Sequence, residues 1–288
     1  MQLDELANLL ISLMTTVSIL VVISIGLAVI FGMMGVINLA HGEFLMLGAF
    51  MTLSGQRSGL NIWLAMVVAA LGVGIIGLLV ERLLIRFLYG RLAATMLATW
   101  GLSLILVQLV VLIYGPSTQG LANPLGSVKV GAYSISGYSF VLIAAALFFL
   151  ISVYVIFTKT RYGVMARAAT QLPRMAVALG INASRINMYT FALGATLAGG
   201  GGALLAPLVG VVPSMGQAYV GRAFMTVVVG GPGVLTGTAS AASLLGTVDS
   251  VVSNVATPFV GTAALLVTAI VLLRILPTGI SGRARRQL

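Results

Sequence analysis

Long apolar stretches with almost no charge inside them limit how this chain can fold. They cover roughly residues 9–31, 43–55, 61–81, 92–113, 138–158, 188–210, 219–256 and 259–276. Charged residues make up 7% of the chain, against about 25% in soluble domains. Since one crossing needs about 20 apolar residues, the sequence has room for roughly seven to nine of them. No barrel-like alternation is present, so we predict an all-α membrane protein, a polytopic transmembrane helix bundle.

The segments between these stretches predict one transmembrane domain over residues 1–288, without a separate soluble domain. An external loop is expected at about 115–137, and alternating residues at 127–135 within it suggest a small hairpin. A loop at about 159–187 and a basic tail at 278–288 are assigned to the cytoplasm.

The N-terminal sequence and the cysteine count bear on two further features, a cleaved signal peptide and cysteine-based cross-links or metal sites. The chain begins with the acidic pair Asp4 and Glu5, which does not resemble a cleaved signal peptide. It contains no cysteine, so disulfides and thiolate metal sites are excluded.

Positive charge is distributed unevenly between the loops. Twelve of the fifteen Lys and Arg residues fall in loops that alternation puts on one side of the membrane. They are Arg82, Arg86, Arg91, Lys159, Arg161, Arg167, Arg174, Arg185, Arg274, Arg283, Arg285 and Arg286. The positive-inside rule places these loops in the cytoplasm, with the N-terminus outside and the C-terminus inside. The net charge of +10 therefore reports topology and attraction to anionic lipid heads rather than nucleic-acid binding.

Glycine-rich segments interrupt two of the apolar regions, at residues 32–43 and 230–237. Interruptions in the two halves of a transporter indicate broken or re-entrant helices around a binding site. The predicted helix-break glycines are Gly35, Gly42, Gly230, Gly231 and Gly233. The run at 199–202 predicts close helix packing instead.

Polar residues inside apolar stretches are the candidates for function. Glu43 and Asp249 are ionisable groups of this kind, which are expensive in a membrane and usually functional. A metal needs more ligands than one His and one Glu, and the chain has a single His. Two interpretations of Asn38, His41 and Glu43 stay open: they bond the backbone freed at a helix break, or they contact a solute. The candidate pathway residues are Asn38, His41, Glu43, Thr99, Trp100, Gln108 and Asn254.

A helix-prone segment of the cytoplasmic loop has the composition of a docking element. Ala176, Ala178 and Leu179 form a small apolar knob between arginines, which suits a groove on a soluble partner. An amphipathic helix resting on the membrane is the alternative. The residues predicted to couple this segment to such a partner are Arg167, Gln171, Arg174, Ala176, Ala178, Leu179 and Gly180.

The segment at 231–238 superficially resembles a phosphate-binding loop but lacks the lysine that reaches the phosphates. The chain is therefore not expected to hydrolyse ATP, and neither a cofactor nor a metal site is predicted.

Three motifs, in order along the chain, resemble the permeases of the branched-chain amino acid and urea ABC importer family. They are the segments at 35–49, 167–180 and 228–237. Within the family, residues 96–106 and 167–171 look like the urea or short-chain amide permeases. Leu172-Pro173 and Pro232 depart from the urea-type pattern.

The resemblance implies a bacterial inner-membrane importer that works by alternating access. Its partners would be a second related permease subunit, two cytoplasmic ATPase subunits and an external solute-binding protein. The expected solute is urea or a short-chain amide, and the alternative is a branched-chain amino acid. An autonomous channel or secondary transporter is the rival mechanism, and a proton-coupled version would have to use Glu43, Asp249 or His41.

Overall fold

The computed structural model describes residues 3–130 and 133–285. Its α-helices are α1 (Leu3–Met34), α2 (His41–Arg57), α3 (Ile62–Leu83), α4 (Leu92–Tyr114), α5 (Tyr138–Lys159), α6 (Arg161–Gln171), α7 (Pro173–Ala178), α8 (Ala183–Val209), α9 (Met215–Gly230), α10 (Val234–Val255), α11 (Pro258–Ile275) and α12 (Ile280–Arg285). A short 3-10 helix, Ile85–Leu88, connects α3 to α4.

The hairpin predicted in the external loop is confirmed. Strands β1 (Ser127–Val130) and β2 (Tyr133–Ser136) pair antiparallel, with Ser127 opposite Ser136. The turn residues Gly131 and Ala132 lie outside the described residues, as do the last three residues of the basic tail.

Six helices within residues 3–130 and 133–285 are long and apolar enough to cross a membrane: α1, α3, α4, α5, α8 and α11. Helices α9 and α10 are bent by 117° at a short break and add a seventh span if they count as one. The helical bundle is as predicted. Of the seven to nine crossings expected, six helices fall one short and the bent pair brings the number to the lower limit. One reason is α2, which has only 17 residues.

The direction of the helices gives the bundle two distinct ends. Gly26 of α1 packs against Gly194 and Ala198 of α8, while Val22 packs against Gly201, so the two helices run antiparallel. Helix α3 is also antiparallel to α8, since Gly77 meets Ala195 and Val73 meets Gly199. The end of α1, the end of α3 and the start of α8 therefore share one end. We call this the basic end, because the loops rich in Arg and Lys begin there; the end with the β-hairpin is the hairpin end.

Helix α8 is the central element of the bundle, and its glycines explain why. A Cβ added at Gly199 would lie 2.6 Å from the Cβ of Val73 in α3. A Cβ added at Gly202 would clash with the backbone of Leu45 in α2. Small residues let helix backbones approach closely where lipid provides no hydrophobic drive between helices. The packing prediction for residues 199–202 is confirmed.

The outer faces of α3, α4 and α5 are aliphatic. Leu71 and Ile75 of α3, Leu104 and Ile105 of α4, and Ile151 of α5 are all exposed. Faces of this composition suit the acyl chains of a bilayer. The polar groups of the break regions lie on the other side of these helices, in the interior.

Near the basic end, a buried carboxylate is satisfied by a hydroxyl. Glu81 of α3 is buried, and the Tyr89 hydroxyl donates a hydrogen bond to it. Burial and the neighbouring Glu81 raise the pKa of Tyr89 above its usual range.

Candidate functional site

The break between α1 and α2 turns the chain back into the bundle. Gly35 follows the last turn of α1 with φ +64°, a left-handed conformation that glycine adopts at little cost. The chain then reaches His41, whose Nε2 lies 2.8 Å from the carbonyl oxygen of Ile23 in α1. Since Ile23 precedes the end of α1 by about three turns of helix, α2 begins in the interior. Residues 35–57 therefore cross from the basic end to the hairpin end, first as irregular chain and then as a helix that begins within the bundle.

Side chains satisfy the backbone within this break. The Asn38 Oδ1 accepts from the Ala40 N–H at 3.1 Å. The Thr99 hydroxyl of α4 accepts from the Leu39 N–H at 3.1 Å. Asn38, His41 and Thr99 are fully buried. Irregular backbone at membrane depth needs such partners because water is absent. The contact of Asn38 agrees with the structural interpretation, whereas His41 bonds a carbonyl within α1 and not one freed at the break.

The same residues keep unused hydrogen-bonding capacity. Asn38 Nδ2, His41 Nδ1 and Glu43 Oε2 are buried and have no hydrogen-bonding partner among the residues that the structure describes, and neither has Ser24 Oγ, one residue beyond Ile23. Glu43 is 2% exposed and has Ser103 of α4 as a hydrogen-bonding neighbour. Buried polar groups are normally paired. This cluster can therefore take up water or a polar solute without losing the bonds that hold the break.

Two helix N-termini meet beside this cluster. A Cβ added at Gly42, in the first turn of α2, would lie 2.7 Å from the carbonyl carbon of Gly216, in the first turn of α9. Helix N-termini carry partial positive charge and free N–H groups. Half-helix N-termini of this kind hold anionic solute groups in transporters. The N–H groups of His41, Glu43, Met215 and Gln217 already bond nearby carbonyl oxygens, so the arrangement favours negative charge through the helix dipoles rather than through a set of free donors.

The segment before α9 is tied to the loop between α4 and α5. Gln119 and Val211 form an isolated antiparallel bridge, with both N–H to O distances at 2.8 Å. Val211 lies in the short segment between α8 and α9. The sequence predicts a gap between apolar stretches at residues 211–218, but it does not indicate that part of this segment is buried in the bundle.

The structure separates the candidate pathway residues into two groups. Asn38, His41, Glu43 and Thr99 are together at the break. Trp100 is 53% exposed, and Gln108 is exposed on the same outer face of α4. Asn254 is exposed near the end of α10. Neighbouring residues of a helix differ by about 100° in direction, which is why Thr99 faces inward and Trp100 outward.

The second glycine-rich interruption lies at the basic end, away from the Asn38 cluster. Gly230 packs against Gly237, and Gly231 has φ +78°. The Ser281 hydroxyl donates to the Gly230 carbonyl at 2.6 Å and accepts from the Gly233 N–H at 2.9 Å. These contacts hold the sharp bend between α9 and α10.

The coupling segment forms α6 and α7, with Pro173 at the start of α7. Ala176 is 1% exposed, so it does not belong to the docking surface predicted for it. Ala178, Arg174, Gln171 and Gly180 are exposed, and Arg167 is half-buried. The exposed apolar surface consists of Leu172, Met175, Val177 and Leu179, and we call it the coupling surface. The Thr170 hydroxyl donates to the Met33 carbonyl at 2.7 Å, which ties this segment to the end of α1.

The structure contains an ion pair that the sequence does not predict. Arg222 of α9 lies 3.9 Å from Asp249 of α10. Each residue stands out as a charge in an apolar stretch, but the sequence does not indicate which helices meet. Among the described residues, no group of three or more His, Cys, Asp or Glu side chains can hold a metal.

Comparisons with known proteins identify relatives over nearly the whole chain. The family model for the permease component of branched-chain amino acid transport systems matches residues 9–276. The high-affinity branched-chain amino acid permease protein LivH of Salmonella typhimurium is 30% identical over 280 residues, covering 91% of this chain and 90% of LivH. The corresponding protein BraD of Pseudomonas aeruginosa is 29% identical and covers 94% of each chain. A probable permease of this kind from Methanocaldococcus jannaschii is 26% identical and covers 92% of this chain and 89% of its own. No solved structure matches significantly.

Proposed function

The chain belongs to the family of permease components of branched-chain amino acid ABC importers, and we propose that the solute it moves is a branched-chain amino acid. The observation that carries this proposal is the set of relatives, all named for branched-chain amino acids, that match both chains over about nine tenths of their length. These relatives favour a branched-chain amino acid as the solute over urea or a short-chain amide.

The break region is compatible with an amino acid. An amino acid carries a carboxylate, and the N-termini of α2 and α9 meet at Gly42 and Gly216, where helix dipoles favour negative charge. Asn38 and Ser24 add unpartnered donors in the same part of the interior. Asn38, His41, Glu43 and Thr99 are the proposed pathway residues. Trp100, Gln108 and Asn254 lack this support, because they are exposed elsewhere.

Energy would come from ATPase subunits that dock on the basic end. The coupling surface supplies four exposed apolar side chains on and beside a short helix, which suits insertion into a groove of a soluble partner. Movement of α6 and α7 would reach α1 through the Thr170–Met33 hydrogen bond. ATP binding would thereby switch the interior between outward and inward access, without chemistry on the solute.

The proposed assembly comprises this chain, a second related permease subunit, two ATPase subunits and an external solute-binding protein. The chain is a multi-pass membrane protein, and we place the basic end in the cytoplasm because of its Arg and Lys residues. In this orientation the N-terminus is outside, and the β-hairpin faces the binding protein.

The test is uptake of labelled leucine and labelled urea into vesicles that contain the complete importer. We expect leucine uptake that requires ATP, with no competition from excess urea. ATP-dependent urea uptake that excess leucine does not reduce would instead identify urea as the solute. Solute flux that persists without the ATPase subunits would instead indicate an autonomous channel.

A further inference from the structure

A charged pair lies inside the hairpin-end half of the bundle, apart from the break region. Arg222 is in the middle of α9 with 29% of its side chain exposed, and Asp249 is in α10 with 5% of its surface exposed. Ionisable residues within transmembrane helices are expensive to bury, and they commonly mark solute or ion pathways.

The two charges are poorly matched to each other. Arg222 Nη1 and Asp249 Oδ2 are 3.9 Å apart, whereas a charge-assisted hydrogen bond measures about 2.7–2.9 Å. Arg222 instead donates from Nη2 to the Thr262 hydroxyl of α11 at 2.6 Å, and its Nε is buried with no hydrogen-bonding partner in the described part of the chain. Asp249 Oδ1 accepts a 3.3 Å bond from Ser253. Both groups therefore have capacity left for a third party.

A cavity of about 240 Å³ lies against the pair. Its walls are Thr16, Ile19, Leu20, Arg222, Asp249, Ser253, Pro258 and Thr262. The charges and hydroxyls provide polar walls, and Ile19, Leu20 and Pro258 provide apolar ones. Since a water molecule occupies about 30 Å³ of liquid, the cavity has the room of roughly eight waters, which suits a small amino acid.

We propose that this cavity is a subsite for the zwitterionic head group of an α-amino acid. The solute carboxylate binds the Arg222 guanidinium, its ammonium binds the Asp249 carboxylate, and its aliphatic side chain contacts Ile19 and Leu20. Both charges of the pair then gain a close partner of opposite sign. Urea carries no charge and would leave Arg222 and Asp249 as loosely paired as before. This inference rests on the proposed function, and it names a place where the solute is held.

The test uses the absence of cysteine from the chain. Thr16 lines the cavity, while the adjacent Thr15 does not. Each hydroxyl bonds only the carbonyl four residues earlier, Ser12 and Ile11 respectively. Thr16→Cys and Thr15→Cys are therefore a matched pair of reporters in the complete importer, read out by the rate at which a small thiol reagent labels this chain.

We expect excess leucine to slow labelling at position 16 by about threefold or more and to leave position 15 unchanged. Leucine amide and 4-methylpentanoate, which each lack one of the two charges, should give little protection, as should urea. Adding Asp249→Asn or Arg222→Gln should abolish the protection by leucine.

Two results would overturn the inference while leaving the proposed function intact. One is an importer that transports leucine but shows no protection at position 16, with or without trapped nucleotide. The other is equal protection with and without Asp249→Asn. An importer that fails to transport leucine at all would instead refute the proposed function.

Discussion

At the scale of single residues, the interior depends on side chains that replace missing backbone partners. Leu39 belongs to neither α1 nor α2, and its N–H has the Thr99 hydroxyl of another helix as its partner. A buried N–H without a partner costs about 1–3 kcal/mol. One hydroxyl on α4 therefore stabilises the path of a segment that is distant in sequence.

We expect Thr99→Val to destabilise the protein by about 1–3 kcal/mol and to reduce solute uptake, because the shape is kept while the acceptor is lost. Thermal unfolding in detergent and vesicle uptake measure the two effects. Thr99→Ser should restore both. Thr247→Val is the control, since that exposed hydroxyl bonds only its own helix at Ser243; an equal loss in the control would remove the special role of Thr99.

The hydrogen bond from Tyr89 to Glu81 predicts a pH effect. The raised pKa of Tyr89 means that the folded protein favours the neutral phenol, so this contribution to stability is complete below the ordinary tyrosine value of about 10 and is lost as pH rises above it. Tyr89→Phe should cost about 1.5–3 kcal/mol at neutral pH. It should also reduce the decline in stability at alkaline pH, as measured by unfolding at a series of pH values. An unchanged decline in the variant would contradict this account.

At the scale of elements, two short helices differ from the long membrane-crossing ones. Helix α2 starts beside Ile23 and ends at Arg57, whose side chain donates to Gln119 of the external loop at 2.6 Å. Helix α7 is a single short turn that presents apolar side chains at the basic end. In the proposed function, α2 lies where the bundle would contact the solute and α7 where it would contact an ATPase subunit.

The coupling surface predicts the outcome of a docking experiment. Leu179 is 79% exposed, so Leu179→Arg should leave the fold intact while it abolishes copurification of the ATPase subunits and ATP-dependent uptake. Val128→Arg is the matched control for ATPase copurification, since Val128 is an exposed apolar residue at the hairpin end. Ala176→Arg is not an equivalent test, because Ala176 is buried and the variant would disturb folding. Normal ATPase copurification with Leu179→Arg would argue for the membrane-surface alternative.

At the scale of the whole molecule, the two ends differ in charge. The loops between α3 and α4 and between α5 and α8, together with the helix ends that flank them, carry eight of the fifteen Arg and Lys residues, and they share the basic end. Arg57 and Lys129 lie with the β-hairpin at the other end. Such a difference sets the orientation of a polytopic protein in its membrane.

This orientation can be measured with single cysteines, since the native chain has none. In intact cells, Lys129→Cys should react with a membrane-impermeant thiol reagent. Arg161→Cys should react only after the membrane is permeabilised. Both positions are exposed, so the reverse pattern would mean that the orientation is inverted.

Much of this architecture is visible in the sequence, because lipid forces long apolar stretches to become helices. The boundaries predicted for α3, α4, α5 and α11 agree with the structure to within two residues. The helical direction of a side chain was harder to foresee. Thr99 and Trp100 are adjacent, yet only Thr99 faces the break; the signal that could have separated them is the spacing of Thr95, Thr99 and Ser103, which recur every four residues on the buried face of α4. The partner of Asp249 was also hidden, because Arg222 comes near it only through the packing of α9 against α10.

The contact between Gly42 and Gly216 has a consequence for how sequences of this kind can vary. Most packing faults can be repaired by a second change that makes room, as when a large neighbour becomes small. Here both residues are already glycine, and each backbone occupies the space that a methyl group would need on the other. In a library in which both codons vary together, functional clones should therefore keep glycine at both positions, while the surrounding helix faces drift. Where these two helices cross, no second substitution can compensate for the loss of either glycine.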